Sequence, residues 1–317
     1  MKALVCGAGG FIGHHLVDRL KKDGYWVRGV DIKRPQYSET KADHFIICDL
    51  TNQMAVRALI NGEKFNEVYQ VAAEMGGAGY VFTGRNDANI LHNSASINLN
   101  ILNACYANNV SKVFFSSSVC MYPTKDGYQD CRETAAYPAN PDSEYGWEKI
   151  FSERLYMAYR RNFGMQTHIA RFQNTYGPET VWEGARAKAP AALCRKVALA
   201  ENGGDVEVWG DGLQRRSFVF IDDVVEGIMR LMRSDFPGPV NIGSDRIVTI
   251  GEMVELIADI AGKKIKIKYV EGPVGPQDRG TSNQLIREKL GWAPSVPLYD
   301  GLYATYDWVL GQIRRYN

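Results

Sequence analysis

Tyr145 and Lys149 stand four residues apart in the run Tyr145-Gly-Trp-Glu-Lys149. On a helix that spacing places both side chains on one face, one turn apart. A phenol beside an ammonium is a device for moving protons. The cation lowers the phenol's pKa, so a tyrosinate near neutral pH can take the proton of an alcohol. Such pairs are common surface accidents, and this one gains meaning from its setting. It follows a β-branched and aromatic run ending in Ser116-Ser-Ser118, and it lies downstream of a glycine-rich loop at the start of the chain. A hydroxyl, a phenol and an amine are then available to oxidise an alcohol, provided that something accepts the hydride.

The glycine loop offers a seat for that acceptor. The run Lys2–Cys6 leads into Gly7-Ala-Gly-Gly10-Phe11-Ile12-Gly13 and then a helical stretch through Leu20. Glycines permit a tight strand-to-helix turn, and the free N–H groups of the helix start face an anion such as a pyrophosphate. The second strand ends at Asp31, 18 residues past Gly13 (31 − 13). A carboxylate there accepts bonds from ribose hydroxyls and opposes a 2′-phosphate, which selects NAD over NADP. Lys33 and Arg34 weaken that preference slightly. Asp49, at the end of the third strand, either meets the adenine amino group or is a solvated acid. Leu50, Ala72 and Ala73 complete the expected cofactor wall.

The elements that must carry these groups alternate. Ala3–Cys6, Trp26–Val30, Phe45–Ile47, Val68–Ala72, Val113–Ser116 and Thr167–Phe172 read as buried strands, mostly with room between them for crossover helices. That alternation predicts an α/β fold with a doubly wound parallel sheet of Rossmann type. The helix that begins near Tyr145 carries an apolar stripe of Ile150, Phe151, Leu155, Ala158 and Tyr159, the side expected to face the core. From Tyr176 onward, loops rich in Gly, Pro, Trp and Arg separate the helices, while Phe218–Ile221 and Val240–Ile242 read as strands that rejoin the first domain. The expected division is a cofactor domain over 1–175, with 217–243 returning to it, and a smaller C-terminal substrate lobe over 176–216 and 244–317.

Lys and Arg total 37 against 36 Asp and Glu, a formal charge of +1. No broad basic field exists to hold nucleic acid or an anionic membrane, so phosphate recognition has to be local. The six cysteines (Cys6, Cys48, Cys105, Cys120, Cys131, Cys194) are scattered without CxxC or metal-ligand spacing. No metal site is expected, and the thiols read as reduced. No apolar run reaches the ~18–20 residues of a membrane span. A cytoplasmic protein is the expectation.

The glycine loop, Ser118 and the Tyr145–Lys149 pair together resemble the extended short-chain dehydrogenase/reductase superfamily of sugar-nucleotide epimerases and dehydratases. The resemblance implies that Ser118 hydrogen-bonds the sugar hydroxyl being oxidised. Arg171-Phe-Gln-Asn174-Thr-Tyr-Gly-Pro178 is similar to the superfamily's substrate loop, with Asn174 facing the sugar. Trp209-Gly-Asp-Gly-Leu-Gln-Arg-Arg216 is similar to its nucleotide-binding segment. Sugar 4,6-dehydratases carry acids directly after the serine, whereas Val119 and Cys120 follow it here.

The stretches Ala73-Glu-Met-Gly76-Gly77, Ser117-Ser-Val-Cys120-Met-Tyr-Pro123 and Ala185-Arg-Ala-Lys188-Ala-Pro-Ala-Ala192 are similar to the GDP-mannose 3,5-epimerase family. This resemblance runs over essentially the whole chain. It implies that Cys120 and Lys188 exchange protons at C3 and C5 of a GDP-sugar, while Tyr145 and Lys149 serve the redox half. It also implies substrate contacts at Gly76, Ala189, Lys196, Gln214, Arg216 and Arg279, with the arginines toward the diphosphate, and a homodimer. The chain departs from plant members at Glu74, Ala78 and Gln277, which bears on the exact sugar more than on the reaction. Three rivals follow from the same residues. One is a GDP-fucose synthase-like epimerase/reductase, which pairs its cysteine with a histidine and uses NADPH. Another is a UDP-sugar 4-epimerase in which Cys120 and Lys188 are silent. The third is an NAD-binding regulator without catalysis.

Overall fold

The structure, a computed structural model, describes residues 1–123, 130–273, 275 and 277–316. The first half runs β1 Lys2–Cys6, α1 Phe11–Lys22, β2 Trp26–Asp31, β3 His44–Ile47, α2 Gln53–Asn61, β4 Glu67–Gln70, α3 Ala78–Val81, α4 Asp87–Ala107 and β5 Lys112–Ser118. Next come β6 Asp130–Cys131, α5 Glu144–Phe163, β7 Gln166–Phe172, β8 Asn174–Tyr176, α6 Ala189–Leu199, β9 Asp205–Trp209 and β10 Arg215–Phe220. The chain finishes with α7 Ile221–Arg233, β11 Val240–Ile242, β12 Ile247–Thr249, α8 Ile250–Ile260, β13 Lys266–Val270, β14 Asp278–Thr281, α9 Gln284–Leu290 and α10 Leu298–Tyr316.

Seven strands form one sheet in the order β11-β7-β5-β4-β1-β2-β3. Every neighbouring pair in it is parallel. A parallel sheet covered on both faces needs strands that are apolar on both sides, and β1 shows it. Ala3 and Val5 join the core under α1 and α7, with Leu16, Val17, Leu20 and Ile228. Leu4 and Cys6 join the opposite core, with Val56 and Ile60 of α2 and Leu102 of α4. Strand order reverses between β1 and β4, so the carboxyl ends of these two strands flank the crevice where such sheets hold ligands.

A second sheet has the order β12-β10-β14-β6 with β8 along β10, and β9 pairs separately with β13. Here the expectation for Phe218–Ile221 is corrected. Phe218 to Phe220 pair with Asn174 to Tyr176 in β8 and so belong to the second sheet. The short β8 offers them a parallel edge before the chain reaches the main sheet, and α7 and β11 carry it back there.

Helix α5 is a second correction. Its buried residues are Tyr145, Gly146, Glu148, Lys149, Ile150, Ser152, Glu153 and Tyr156. Of the expected stripe, Ile150 is buried and Leu155 and Tyr159 pack partly against the core, but Phe151 is 47% exposed and most of the buried face is polar. The reason is the partners that α5 meets: Asn98 on α4 binds Glu148, and Arg171 on β7 binds Glu153. Among the described residues, no helix is long and apolar enough to cross a membrane.

Candidate active site

Gly10 is the N-cap of α1 and makes no side-chain capping bond. The first N–H groups of α1 are therefore left for an external anion. A Cβ on Gly13 would stand 2.0 Å from the Gly7 carbonyl oxygen, so the helix can lean on the turn only without a side chain there. The Asp31 carboxylate accepts from Gly9 N at 3.0 Å and Lys33 N at 3.3 Å. Burial pushes its pKa up against those bonds. Gly7, Gly10, Phe11, Ile12, Gly13 and Asp31 thus gather where β1 and β2 end, and Ala72 and Ala73 follow β4 across the switch point. Leu50 is buried in the core cluster that Ala72 packs against. Asp49 lies past the end of β3, is exposed, and turns its carboxylate onto Thr51 N and Oγ1 at 2.9 and 2.8 Å. An uncapped helix start for a pyrophosphate and a carboxylate at the second strand end fit NAD.

Beside this end lies a cavity of about 730 Å³, lined by Ser118, Cys120, Tyr145, Lys149, Asn174, Lys188, Ala189, Lys196, Gln214, Arg216 and Arg279, with Ile12, Ala73 and Gly76. Ser118 ends β5, and its Oγ accepts from Cys120 N at 3.2 Å, capping the turn Val119–Met121 that carries the thiol. Ser143 caps α5 by accepting from Gly146 N at 3.3 Å. A Cβ on Gly146 would stand 2.3 Å from the Cys120 carbonyl oxygen. Backbone contact therefore sets the thiol's turn directly against the helix residue after Tyr145.

Lys149 Nζ lies 5.4 Å from the Tyr145 ring centroid and 3.5 Å from Glu148 Oε2. The expected lowering of the phenol's pKa is not found in the chain itself. Burial pushes Tyr145 well above the ordinary tyrosine value, Cys120 and Glu148 add to this, and Ser118 offsets part of it. The ammonium's charge is balanced locally by Glu148, so desolvation wins at the phenol.

The residues behind this pair were not singled out from the sequence. Glu148 Oε1 accepts from Asn98 Nδ2 at 3.1 Å and Ser152 Oγ at 2.5 Å. Asn98 Oδ1 accepts from Gln70 Nε2 at 3.1 Å, and Gln70 bonds both backbone groups of Ala72. A buried line of hydrogen bonds thus joins the end of β4 to α5. One turn on, Glu153 accepts from Ser117 Oγ at 3.0 Å and from Arg171 Nε at 3.1 Å. A signal was available: 145, 148, 149, 152, 153 and 156 follow the helical period, but on polar residues.

At the far wall, Lys188 is half-buried at the N-cap of α6. Burial lowers its pKa and Cys120 works the other way, so amine and thiol lie within electrostatic reach. Arg279 pairs with Asp142 at 2.9 Å. Arg216 is pushed down to about 10 by burial and then by the neighbouring Arg279. A buried guanidinium at Arg279 and a half-buried one at Arg216, each opposing the other's charge, suit an anion. Asn174 Nδ2 donates to Ser217 O at 3.1 Å. Gln214 Oε1 is buried without a partner among the described residues. Lys196 Nζ donates to Glu207 O at 2.8 Å and lies 5.8 Å from the Trp209 ring.

The sequence profile of the NAD dependent epimerase/dehydratase family matches residues 3–243. GDP-mannose 3,5-epimerase of Arabidopsis thaliana is 40% identical over 321 residues, covering 99% of this chain and 84% of that protein. GDP-L-fucose synthase 1 of the same plant is 31% identical, covering 98% of this chain and 94% of that protein. Among solved structures, UDP-glucose 4-epimerase of Thermus thermophilus in complex with NAD superposes with a TM-score of 0.86 at 25% identity, covering 98% of this chain and 99% of that one. The profile, the full-length relatives and the shared fold agree: this chain belongs to the NAD dependent epimerase/dehydratase family, and its cofactor is NAD.

Proposed function

We propose that the chain epimerises a GDP-hexose of the GDP-mannose type, by transient oxidation at C4, proton exchange at C3 and C5, and re-reduction. The observation that carries this reading is the sharing of one cavity by Cys120 and Lys188 with Ser118, Tyr145 and Lys149. The 40% identity to a GDP-mannose 3,5-epimerase supports it over a fucose synthase-like reading, whose relative is 31% identical.

When bound, NAD supplies the acceptor for the C4 hydride and its return. Ser118 orients the C4 hydroxyl, and Tyr145, as the tyrosinate that Lys149 and the positive charge of bound NAD would favour, takes its proton. The C4 carbonyl so formed acidifies the hydrogens on C3 and C5, because each carbanion is delocalised as an enolate. One of Cys120 and Lys188 removes a proton from one ring face, and the other delivers a proton to the opposite face, which inverts the centre. Tyr145 finally returns its proton to the C4 oxygen, and no reductant is consumed overall. Arg216 and Arg279 hold the diphosphate by charge-assisted bonds.

A second copy of the chain covers the outward stripe of α5, where Trp147, Phe151 and Phe163 are exposed beside Leu99 and Tyr106 of α4. Tyr106 and Phe163 meet with ring centroids 4.6 Å apart and planes tilted by 33°, and an apolar patch of this kind suits a homodimer. Six free cysteines suit a reducing compartment, the cytoplasm. The test of the reaction is GDP-mannose in deuterated water. Label enters C3 and C5 without net NADH, and Cys120→Ala abolishes the label while C4 redox chemistry survives. Inversion at C4 with no labelled ring carbon would instead establish a 4-epimerase.

A further inference from the structure

Lys188 caps α6 without a side-chain capping bond, and its amine feels burial and Cys120. Its position must come from its segment. That segment turns on a bond from Ala187 N to Gly184 O at 3.1 Å and is met from across the cavity by the loop after β4. Gly77 N donates to Arg186 O at 3.2 Å. A Cβ on Gly77 would stand 2.2 Å from the Ala187 carbonyl oxygen, so two backbones touch where any side chain would part them.

Side chains repeat the junction. Arg186 Nη2 donates to Glu74 Oε1 at 2.7 Å and to Tyr80 OH at 3.1 Å. The Tyr80 hydroxyl donates to the same Glu74 oxygen at 2.6 Å, and the guanidinium lies 4.4 Å from the Tyr80 ring centroid. The loop side is itself anchored: Glu74 N donates to Ser94 Oγ on α4 at 3.0 Å, and Asn86 Nδ2 donates to Tyr80 O at 3.0 Å.

We infer that Glu74, Tyr80 and Arg186 form a clamp across the cavity that positions Lys188 against Cys120, and that its Glu74–Arg186 pair serves the proton-exchange half of the reaction alone. The inference rests on the reaction proposed above. Ser118, Tyr145 and Lys149 lie on β5 and α5, which the Glu148 and Glu153 networks hold from behind. Tyr80 also packs into the apolar cluster of Tyr145 and Cys120, so the separation of the two halves is carried by the Glu74–Arg186 pair, whose charges reach neither Ser118 nor Lys149. Lys188 lies two residues along the chain from the clamp's guanidinium-bearing position, so a shift there moves the amine. Misplacing a reacting group by about 1 Å costs up to ~100-fold in rate.

The test uses NAD-loaded protein and GDP-mannose in deuterated water. Arg186→Ala and Glu74→Ala should each slow deuterium entry at C3 and C5 by about 10- to 100-fold. The transient near-ultraviolet absorbance of reduced nicotinamide, which reports C4 oxidation, should keep its wild-type rate. The charge-exchanged pair Glu74→Arg with Arg186→Glu should recover most of the lost exchange. The clamp is overturned if the single variants exchange at the wild-type rate, if they lose exchange and hydride transfer in equal proportion, or if the exchanged pair recovers nothing. Wild-type protein that takes up no deuterium would sink the reaction reading itself, and the clamp's role with it, before any variant is compared.

Discussion

The β1–α1 turn and helix α5 both deliver chemistry to the end of a strand, and they do so by opposite means. At the turn the constraint is local: α1 leans on the Gly7 carbonyl with no room for a side chain at Gly13, and its bare N-terminus faces outward. On α5 the constraint comes from across the fold. Its inward face carries two acids and Lys149 because Asn98, Ser117 and Arg171 wait there to satisfy the acids. Its aromatic side chains Trp147, Phe151 and Phe163 point away. Burial, then, follows the partners available more than the hydrophobicity of the stripe.

The contrast can be broken or sharpened by substitution. The largest effect is expected from Gly13→Val, which forces the turn and α1 apart. NAD affinity, followed by titration with intrinsic fluorescence, should fall by about 100-fold or more; near-normal affinity would mean that the close approach does not matter. Next is Glu148→Ala, which leaves the buried Lys149 cation without its carboxylate. Denaturant unfolding should show a loss of about 3–5 kcal/mol, and a variant as stable as wild type would deny that the polar face holds the helix.

Phe151→Ser on the outward face should change protomer stability by only about 0.5 kcal/mol. Sedimentation should nonetheless show weakened self-association. A core-sized loss of stability without any change in association would place this side chain in the interior after all. The smallest effect concerns protonation. Burial disfavours the charged form of Lys188, so its proton leaves at lower pH than from a surface amine. Acylation of Lys188 as a function of pH should therefore reach half-maximum below the ordinary lysine value of about 10.4. A midpoint at or above that value would contradict the burial.

The same contrast explains how much could be read in advance. Strand runs such as Ala3–Cys6 and Val113–Ser116 were legible because both faces of the parallel sheet are buried, so apolarity marks them without ambiguity. The glycine loop and the Tyr145–Lys149 spacing are each written within a few residues, and Asp31 ends the next strand after the loop, whereas the role of Ser118 came from resemblance. Lys188 and Arg279 came from resemblance, since no local pattern marks a lysine before a helix or an arginine on a short strand. The clamp at Glu74, Tyr80 and Arg186, separated by up to 112 positions, and the Gln70–Asn98–Glu148 line have no local signature at all. On α5 the expected stripe holds at Ile150, Leu155 and Tyr159 but not at Phe151, and the polar residues that share the buried face look like a solvated face until their partners are known.

One measurement meets the central claim directly: a crystal structure of the chain with NAD and GDP-mannose bound. The account predicts the sulfur of Cys120 and the amine of Lys188 on opposite faces of the hexose, each within about 3.5 Å of C3 or C5 or of a hydrogen they carry. Both groups on one face, or either one remote from the ring, would contradict it.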